Sequence, residues 1–241
     1  MLGSRTFVKR GGGKEAEKPF WISYADLMTA LMVLFLVAMS VTLLAVTKTV
    51  DEGQRLKAQR DKDITELLRR VEAAATKYPG VRVYKDRNAI DFGDRARFDK
   101  NSSGLKPEQQ RLLRAFVPEV LAIAHDQLGQ KWLKQIVVEG FSSPEGDYLY
   151  NLNLSLQRSQ RVLCVLLAKP FPDETEMSQD QLEQIRDLFL VGGYSFNAAK
   201  ATFEDSRRVE LRLEFLGLGE TRAAAGDVPR GNFGACALGP S

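Results

Sequence analysis

The sequence is poor in the residues that build catalytic and metal sites. It has one histidine and two cysteines among 241 residues, and their spacing matches no metal-binding pattern. It has neither a P-loop nor a G-x-S-x-G motif, and Asp99, Glu108 and Glu139 do not form a recognisable hydrolase pair. The formal net charge of +3 is too small to indicate nucleic-acid binding. We therefore expect a protein that is not an enzyme and that holds no metal or other cofactor.

The sequence does contain one long apolar run near its N-terminus. Between Trp21 and Val46 the only acidic or basic residue is Asp26. A helix of about 26 residues is roughly 39 Å long at about 1.5 Å per residue, and about 20 apolar residues suffice to cross a bilayer. We predict a single transmembrane helix over residues 20–46, with Trp21 and Tyr24 at the membrane interface.

Asp26 is the most informative residue of this run. A carboxylate inside the hydrocarbon costs about 2.5–3.5 kcal/mol on insertion scales, so a chain that keeps one there is expected to use it. The competing interpretation places Asp26 at headgroup level, or at the N-cap of a helix that begins at Leu27. Ser23, Tyr24 and Thr29 flank Asp26, and they either tune and hydrate the carboxylate or pack against other helices.

The charges that precede the run predict its orientation. Five basic residues stand there against two acidic ones, and positively charged flanks stay in the cytoplasm. We expect residues 1–19 to form a cytoplasmic basic tail, and the chain after Thr47 to lie outside a bacterial inner membrane, in the periplasm. A cleaved signal peptide is disfavoured because the run is long, contains Asp26 and has no clear A-x-A site after it. The basic residues are Arg5, Lys9, Arg10, Lys14 and Lys18.

The rest of the chain predicts a helical linker and one α+β domain. Residues 47–80 are rich in charge, with apolar residues at helical spacing, and indicate a periplasmic helical linker that Pro79-Gly80 ends. Residues 81–216 alternate strand and helix patterns, beginning with a hairpin around Asp86-Arg87. Residues 217–241 show no periodicity, and we expect a disordered tail. The predicted helices are 106–125, 148–167 and 178–188, and the predicted strands include QIVVEGF and RRVELRLEF.

Both cysteines fall in the part of the chain that is expected to face an oxidising compartment. Cys164 lies in a predicted helix and Cys236 in the tail. Two arrangements are open: a disulfide that joins the tail to the domain, or two unpaired thiols.

One segment of the predicted domain resembles the OmpA-like peptidoglycan-binding family. That family has G-[HYF]-T-D at the end of a strand, a later glycine, N-x-x-L-S-x-x-R at the start of a helix, and a late R-R-V-E. The resemblance covers roughly residues 82–216 and implies a mixed β-sheet with helices on one face. The matching positions are Gly140, Phe141, Gly146, Asn151, Leu154, Ser155, Arg158 and Arg207-Arg208-Val209-Glu210.

The resemblance implies that this segment binds peptidoglycan. Stem peptides carry carboxylates, and Arg158 can hold a carboxylate with two parallel hydrogen bonds. Asn151 can donate to and accept from a peptide backbone, and Tyr150 and Leu154 can form walls of the pocket. At helical spacing Asn151, Leu154 and Arg158 share one face.

The segment departs from the family at the end of the strand. Ser143 stands where the family has the aspartate that meets the ligand's ammonium group, and Ser142 replaces the usual threonine. A hydrogen bond to a charged group is worth roughly 1.5–3 kcal/mol, so we expect weaker binding, or a substitute carboxylate from Glu145 or Asp147. These two acids are also the expected partners of Arg158 if Arg158 is only a surface residue.

The apolar run resembles the membrane segment of the MotB family, through Tyr24-Ala25-Asp26 and Met28-Thr29-Ala30. With the second half included, the chain resembles the MotB-like subunits of Zorya anti-phage defence systems. This resemblance implies a homodimer inside a pentameric ring of ZorA-like subunits, with cytoplasmic defence effectors downstream. Asp26 is then the carboxylate that translocates a proton, or a sodium ion, and so drives rotation. The alternatives are a flagellar MotB and a passive tether to peptidoglycan.

Overall fold

The computed structural model describes residues 18–222, 231 and 233–239, and only the backbone of residues 18–20, 22 and 23. The predicted cytoplasmic tail therefore lies almost wholly outside the described residues, as does the side chain of Ser23.

The first element is one helix, α1, Lys18–Ala75. Pro19 stands in its first turn, where a missing backbone N–H costs nothing, and no other proline follows within it. The large apolar side chains of the predicted transmembrane segment are exposed, for example Phe35 at 66%. Such a surface is stable only against lipid or other apolar helices. Within the described residues, α1 is the one helix long and apolar enough to cross a membrane.

The chain divides into two compact units, Met1–Arg55 and Leu56–Ser241. The division falls inside α1 and not at the predicted boundary between linker and domain. Beyond it, Leu67 and Val71 are only 3% and 2% exposed. The helical segment that the sequence predicts as a linker therefore adds an apolar stripe to the domain core, and the domain begins at Leu56 instead of residue 81.

The second unit contains one mixed β-sheet. Its strand order is β1-β2-β5-β3-β4, with β3 parallel to β4 and the other neighbours antiparallel. The predicted hairpin around Asp86-Arg87 is confirmed, and Asn88 takes a positive φ of 53° in its turn. The strands are β1 (Arg82–Tyr84), β2 (Ala89–Asp91), β3 (Leu133–Gly140), β4 (Phe189–Gly193) and β5 (Val209–Phe215).

Helices pack on this sheet to close the core. The helix predicted over residues 148–167 is confirmed with the same bounds. Ser178 caps the next helix as predicted, its hydroxyl accepting from the backbone N–H of Gln181 at 3.2 Å. The α+β class with a mixed sheet is thus confirmed. The helices after α1 are α2 (Pro107–His125), α3 (Gln127–Trp132), α4 (Tyr148–Leu167), α5 (Gln179–Leu188) and α6 (Phe203–Ser206).

Polar contacts also hold the end of α1 to the domain. The Trp132 indole N–H donates to the Asp63 carboxylate at 2.8 Å, and Asp63 is 8% exposed. Arg70 lies 2.6 Å from Asp126, the residue that caps α3. The last turns of α1 therefore belong to the folded domain.

A disulfide joins Cys164 in α4 to Cys236 in the tail, so of the two arrangements left open the structure has the bonded one. Nearby, the guanidinium of Arg161 donates to the backbone carbonyls of Gly239 at 2.7 Å and Leu238 at 3.0 Å. The expectation of a disordered tail is therefore wrong for residues 236–239, which are held against α4.

Candidate functional site

Asp26 lies in the apolar part of α1, and its side chain is exposed like those of its neighbours. The helix begins at Lys18, about two turns earlier at roughly 3.6 residues per turn. The interpretation of Asp26 as an N-cap is therefore wrong. The Thr29 hydroxyl donates to the backbone carbonyl of Asp26 at 2.9 Å, so it serves the helix backbone and not the carboxylate.

The three predicted neighbours of Asp26 lie on different sides of the helix. Residues three apart lie on the same side of a helix, so positions 23 and 29 are on the side of Asp26. Tyr24, two residues before Asp26, is on another side, where it is 51% exposed. The backbone thus places Ser23 and Thr29, but not Tyr24, along the same face as the carboxylate.

The second candidate site lies where β3 ends and α4 begins. Gly140 and Gly193 are paired at the ends of β3 and β4. A Cβ on Gly140 would lie 1.8 Å from the carbonyl oxygen of Ser155, and one on Gly193 would lie 2.8 Å from the backbone nitrogen of Leu156. Glycine therefore lets α4 pack directly on the strand backbones, which sets the first turns of α4 beside the loop 141–147.

Arg158 is fully buried beneath this loop, at 0% exposure. Its guanidinium donates to the carbonyls of Phe141 at 2.8 Å, Ser102 at 3.0 Å and Asp99 at 3.1 Å. Burial lowers the pKa of Arg158 to about 10, so it stays charged at neutral pH. The interpretation as a solvated surface arginine is wrong. The sequence predicts that Arg158 binds a ligand carboxylate directly, which requires guanidinium N–H groups at the surface. In the structure, Nε and both terminal nitrogens donate to backbone carbonyls instead.

Of the other predicted residues on α4, Asn151 and Leu154 are buried and Tyr150 is exposed. Asn151 is 2% exposed, and its amide donates to the carbonyls of Glu145 at 2.8 Å and Asp147 at 3.1 Å, which closes the loop onto α4. Leu154 is 7% exposed and belongs to the core. Tyr150 is 49% exposed on the first turn of α4, and of the predicted residues on α4 it is the one open to a ligand.

Ser143 has a carboxylate beside it after all. Its hydroxyl donates to Glu145 at 3.0 Å, and the other oxygen of that carboxylate accepts from Lys100 at 2.7 Å. Hydrogen bonds from Lys100 and then Ser143 hold the pKa of Glu145 below its usual value. Of the two substitutes that the sequence suggests for the missing aspartate, the structure brings Glu145 to the strand end.

One basic residue of this site, Lys100, is not indicated by the sequence. Lys100 belongs to no motif, and only the fold brings it close to Glu145, 45 positions further along the chain. Arg207 belongs to the late R-R-V-E pattern, and its guanidinium lies 3.6 Å from Glu145. The next residue, Arg208, lies with its guanidinium 4.0 Å from the centre of the Phe141 ring. The R-R-V-E pattern of the sequence therefore marks both arginines of this site.

The two units together define a class of protein. An exposed apolar helical segment with a single carboxylate, as in residues 21–46 of α1, is typical of a membrane-spanning helix with a function inside the membrane. The mixed-sheet domain that follows carries the residues of an OmpA-like domain around the end of β3. The described residues therefore define a membrane-anchored class of protein, in which one apolar helix leads into an α+β domain whose residues at the end of β3 resemble the OmpA-like family.

Comparison with known proteins leads from this class to a family. A family model described as membrane MotB of the proton-channel complex MotA/MotB matches residues 7–55. The chain is 48% identical over 229 residues to the Zorya protein ZorB of Escherichia coli O139:H28 (strain E24377A / ETEC), which covers 95% of this chain and 93% of that protein. The chain belongs to the ZorB family.

Several solved structures resemble parts of the chain. The cell wall anchor of the type VI secretion system (T6SS) from Pseudomonas aeruginosa is 22% identical, with a TM-score of 0.38 over 61% of this chain and 96% of that one. The periplasmic domain of Helicobacter pylori MotB is 14% identical, with a TM-score of 0.37 over 53% of this chain and 75% of that one.

Proposed function

We propose that the chain is the ion-carrying stator subunit of a Zorya-type anti-phage complex. Membership of the ZorB family and the MotB match over residues 7–55 support this proposal. The observation that carries it is Asp26, the one acidic or basic residue between Trp21 and Val46. A carboxylate kept at such a cost inside an apolar helix is expected to have a use.

In this proposal, Asp26 takes up a proton, or a sodium ion, from the periplasmic side and releases it to the cytoplasmic side. Desolvation disfavours the bare carboxylate and so favours uptake of the cation. Each charge that crosses 100 mV supplies about 2.3 kcal/mol. The neutral and the charged carboxylate prefer different contacts with surrounding helices, so repeated uptake and release can step a pentameric ZorA-like ring around a dimer of this chain.

The domain supplies the fixed point against which such a ring turns. We propose that it lies in the periplasm and holds peptidoglycan at the end of β3, while the N-terminus faces the cytoplasm. Rotation of the ring then reaches defence effectors in the cytoplasm. The 48% identity to a Zorya protein favours this output over that of a flagellar MotB.

The test compares Asp26→Asn with Asp26→Glu and with Asp51→Asn, the same amide substitution at an exposed position further along α1. Asn cannot take up and release a proton, whereas Glu and the distant Asn leave a carboxylate at the site. We expect Asp26→Asn to reduce phage protection to the level of cells without the chain, and Asp51→Asn to protect like the wild type. Plaque counts measure protection, and a cytosolic pH reporter measures proton entry.

The immunoblot level of each variant in the membrane fraction controls for expression. Full protection by Asp26→Asn at a normal level would show that the chain carries no ion. The chain would then be a passive tether of the membrane to the wall.

A further inference from the structure

The last described part of the tail, residues 236–239, lies against the C-terminal half of α4, and we call it the strap. Cys236 is bonded to Cys164 of α4. The backbone N–H of Gly239 donates to the carbonyl of Cys236 at 3.2 Å, which folds the strap into a single turn. The strap contains no helix or strand of its own, so its attachments to α4 decide its position.

Arg161 is the second attachment of the strap. It lies three residues before Cys164, so both side chains are on the same side of α4. Its terminal nitrogens donate to the carbonyls of Gly239 at 2.7 Å and Leu238 at 3.0 Å, and Arg161 is only 4% exposed. The strap is therefore held by one covalent bond and by one buried cation.

The disulfide closes a long loop of the chain, because its two cysteines are 72 positions apart. This loop contains α5, β4, α6 and β5. β5 is the central strand of the sheet, paired with β2 on one side and β3 on the other. A bond across such a loop removes many conformations from the unfolded chain and so stabilises the folded one. The strap therefore affects the stability of the whole domain and not only that of the tail.

The bond can be opened and closed by thiol chemistry, because Cys164 and Cys236 are both only half-buried. Reduction adds two electrons and two protons to the S–S bond and leaves two thiols, while a dithiol reductant is converted to a disulfide. Oxidation by a protein disulfide is the reverse exchange. With two thiols the strap keeps only its hydrogen bonds from Arg161, and the net gain from such bonds is small against the entropy of a free tail.

We propose that the strap is a redox-controlled lock of the domain. It is closed while Cys164 and Cys236 are bonded, and it opens readily when they are thiols, because only Arg161 then holds it. The lock itself is a property of the domain. Only its closure after export, in an oxidising compartment, rests on the proposed periplasmic location. A chain that has not been exported therefore lacks the full stability of the domain.

Thermal unfolding tests the effect of the lock on the domain. The full-length chain, solubilised in detergent, is heated with and without a dithiol reductant and followed by circular dichroism. We expect the reductant to lower the unfolding temperature by about 5–15 °C, given the usual stabilisation by a disulfide and the size of the domain. Cys236→Ser should unfold at the lower temperature under both conditions.

The control for this variant is Ala237→Ser, at an exposed neighbouring position, which should respond to the reductant like the wild type. A wild-type unfolding temperature that is the same with and without reductant would show that the bond does not lock the domain, and would overturn the proposal.

Hydrogen–deuterium exchange of the C-terminal peptide reports whether the strap opens. We expect the amides of residues 236–239 to exchange about tenfold faster once the bond is reduced. Arg161→Gln should have little effect while the bond is intact, and should accelerate exchange further in the reduced chain, since it removes the remaining attachment. Arg69→Gln, at an exposed arginine of α1 that pairs with Glu66, is the control. Unchanged exchange after reduction would mean that the strap stays closed without the bond, contrary to the proposal.

Thiol labelling in cells separates this inference from the proposed location. A maleimide reagent is added to cells that are denatured in acid to trap their thiols. We expect the chain to stay unmodified in normal cells and to be modified at both cysteines in cells that lack the periplasmic disulfide oxidase. If both cysteines are modified in normal cells, the proposed location is wrong, and a lock found by unfolding stands. If they are bonded there and reduction leaves unfolding unchanged, the location stands and the lock is wrong.

Discussion

Arg158 and Lys100 carry the same charge in the same part of the domain, but their surroundings give them different uses. Arg158 is fully buried and satisfies three backbone carbonyls. The Lys100 side chain is 61% exposed and meets one carboxylate. The bond to the Phe141 carbonyl is buried and the other two are partly buried. A buried carbonyl left without a donor costs about 1–3 kcal/mol, so Arg158 stabilises the fold. The motif that includes Arg158 does not show that its guanidinium is buried.

The pKa of Glu145 tests whether the pair with Lys100 forms in solution. Donation from Lys100, and then from Ser143, lowers this pKa below its ordinary value of 4.5. Because the folded-state pKa is the lower one, Glu145 stabilises the fold above pH 4.5, and this contribution is lost as pH falls through the folded value. We expect Lys100→Ala to raise the pKa of Glu145 toward its ordinary value, as followed by carboxyl NMR titration.

Arg111→Ala is the control for that titration, since Arg111 pairs with Asp173 and not with Glu145. It should leave the pKa of Glu145 unchanged. Equal values in the wild type and in Lys100→Ala would mean that the ion pair is not formed in solution.

Among the elements, α4 packs closely against the ends of β3 and β4. Gly140 and Gly193 let the helix backbone meet the strand backbones directly, and Asn151 then closes the loop between β3 and α4. The predicted bounds of α4 are correct because they follow from local periodicity. How closely α4 approaches the sheet depends on Gly140 and Gly193, which have no side chain and lie on β3 and β4.

Gly140→Ala tests that close packing. The added Cβ would lie 1.8 Å from the carbonyl oxygen of Ser155, so α4 has to shift. Overpacking of this kind costs about 1–3 kcal/mol, occasionally more, and we expect a loss near the upper end in urea unfolding. Gly104→Ala is the control, because its nearest neighbour would be 3.4 Å away. Equal stabilities of the two variants would mean that α4 does not pack as described.

On the scale of the whole molecule, α1 contributes to both units. Its apolar run is exposed and suits a membrane, whereas its last turns bury Leu67, Leu68 and Val71 in the core of the domain. The sequence does not reveal that the end of α1 joins the domain core. A short apolar stripe on a highly charged helix is also typical of a free linker. The folded domain supplies the apolar surface that covers this stripe, because Leu67 and Val71 lie beside Val120 of α2 and Leu213 of β5.

Truncation tests where the domain begins. A chain that starts at Leu56 keeps the stripe of α1, and we expect it to unfold cooperatively on heating, as followed by circular dichroism. A chain that starts at residue 81 loses it, and full burial of one such side chain is worth about 1.5–3 kcal/mol. We expect this shorter chain to be strongly destabilised.

Point variants of the longer chain provide the matched comparison. Leu68→Ala, at a residue 4% exposed, should lower the unfolding temperature, whereas Leu56→Ala, at 61%, should not. Equal unfolding temperatures of the two truncated chains would restore the predicted boundary at residue 81.

The sequence by itself determined the features that act over a few residues. The apolar run with Asp26, the hairpin, the bounds of α4, the cap of α5 and the α+β class all follow from periodicity, capping and turn residues. Only the tertiary structure decided that Arg158 is buried, that Lys100 meets Glu145, that the end of α1 joins the core, and that Cys164 pairs with Cys236. The physical reason is distance along the chain: the two residues of the ion pair are 45 positions apart and those of the disulfide 72. Burial and pairing depend on segments that only the folded chain brings together.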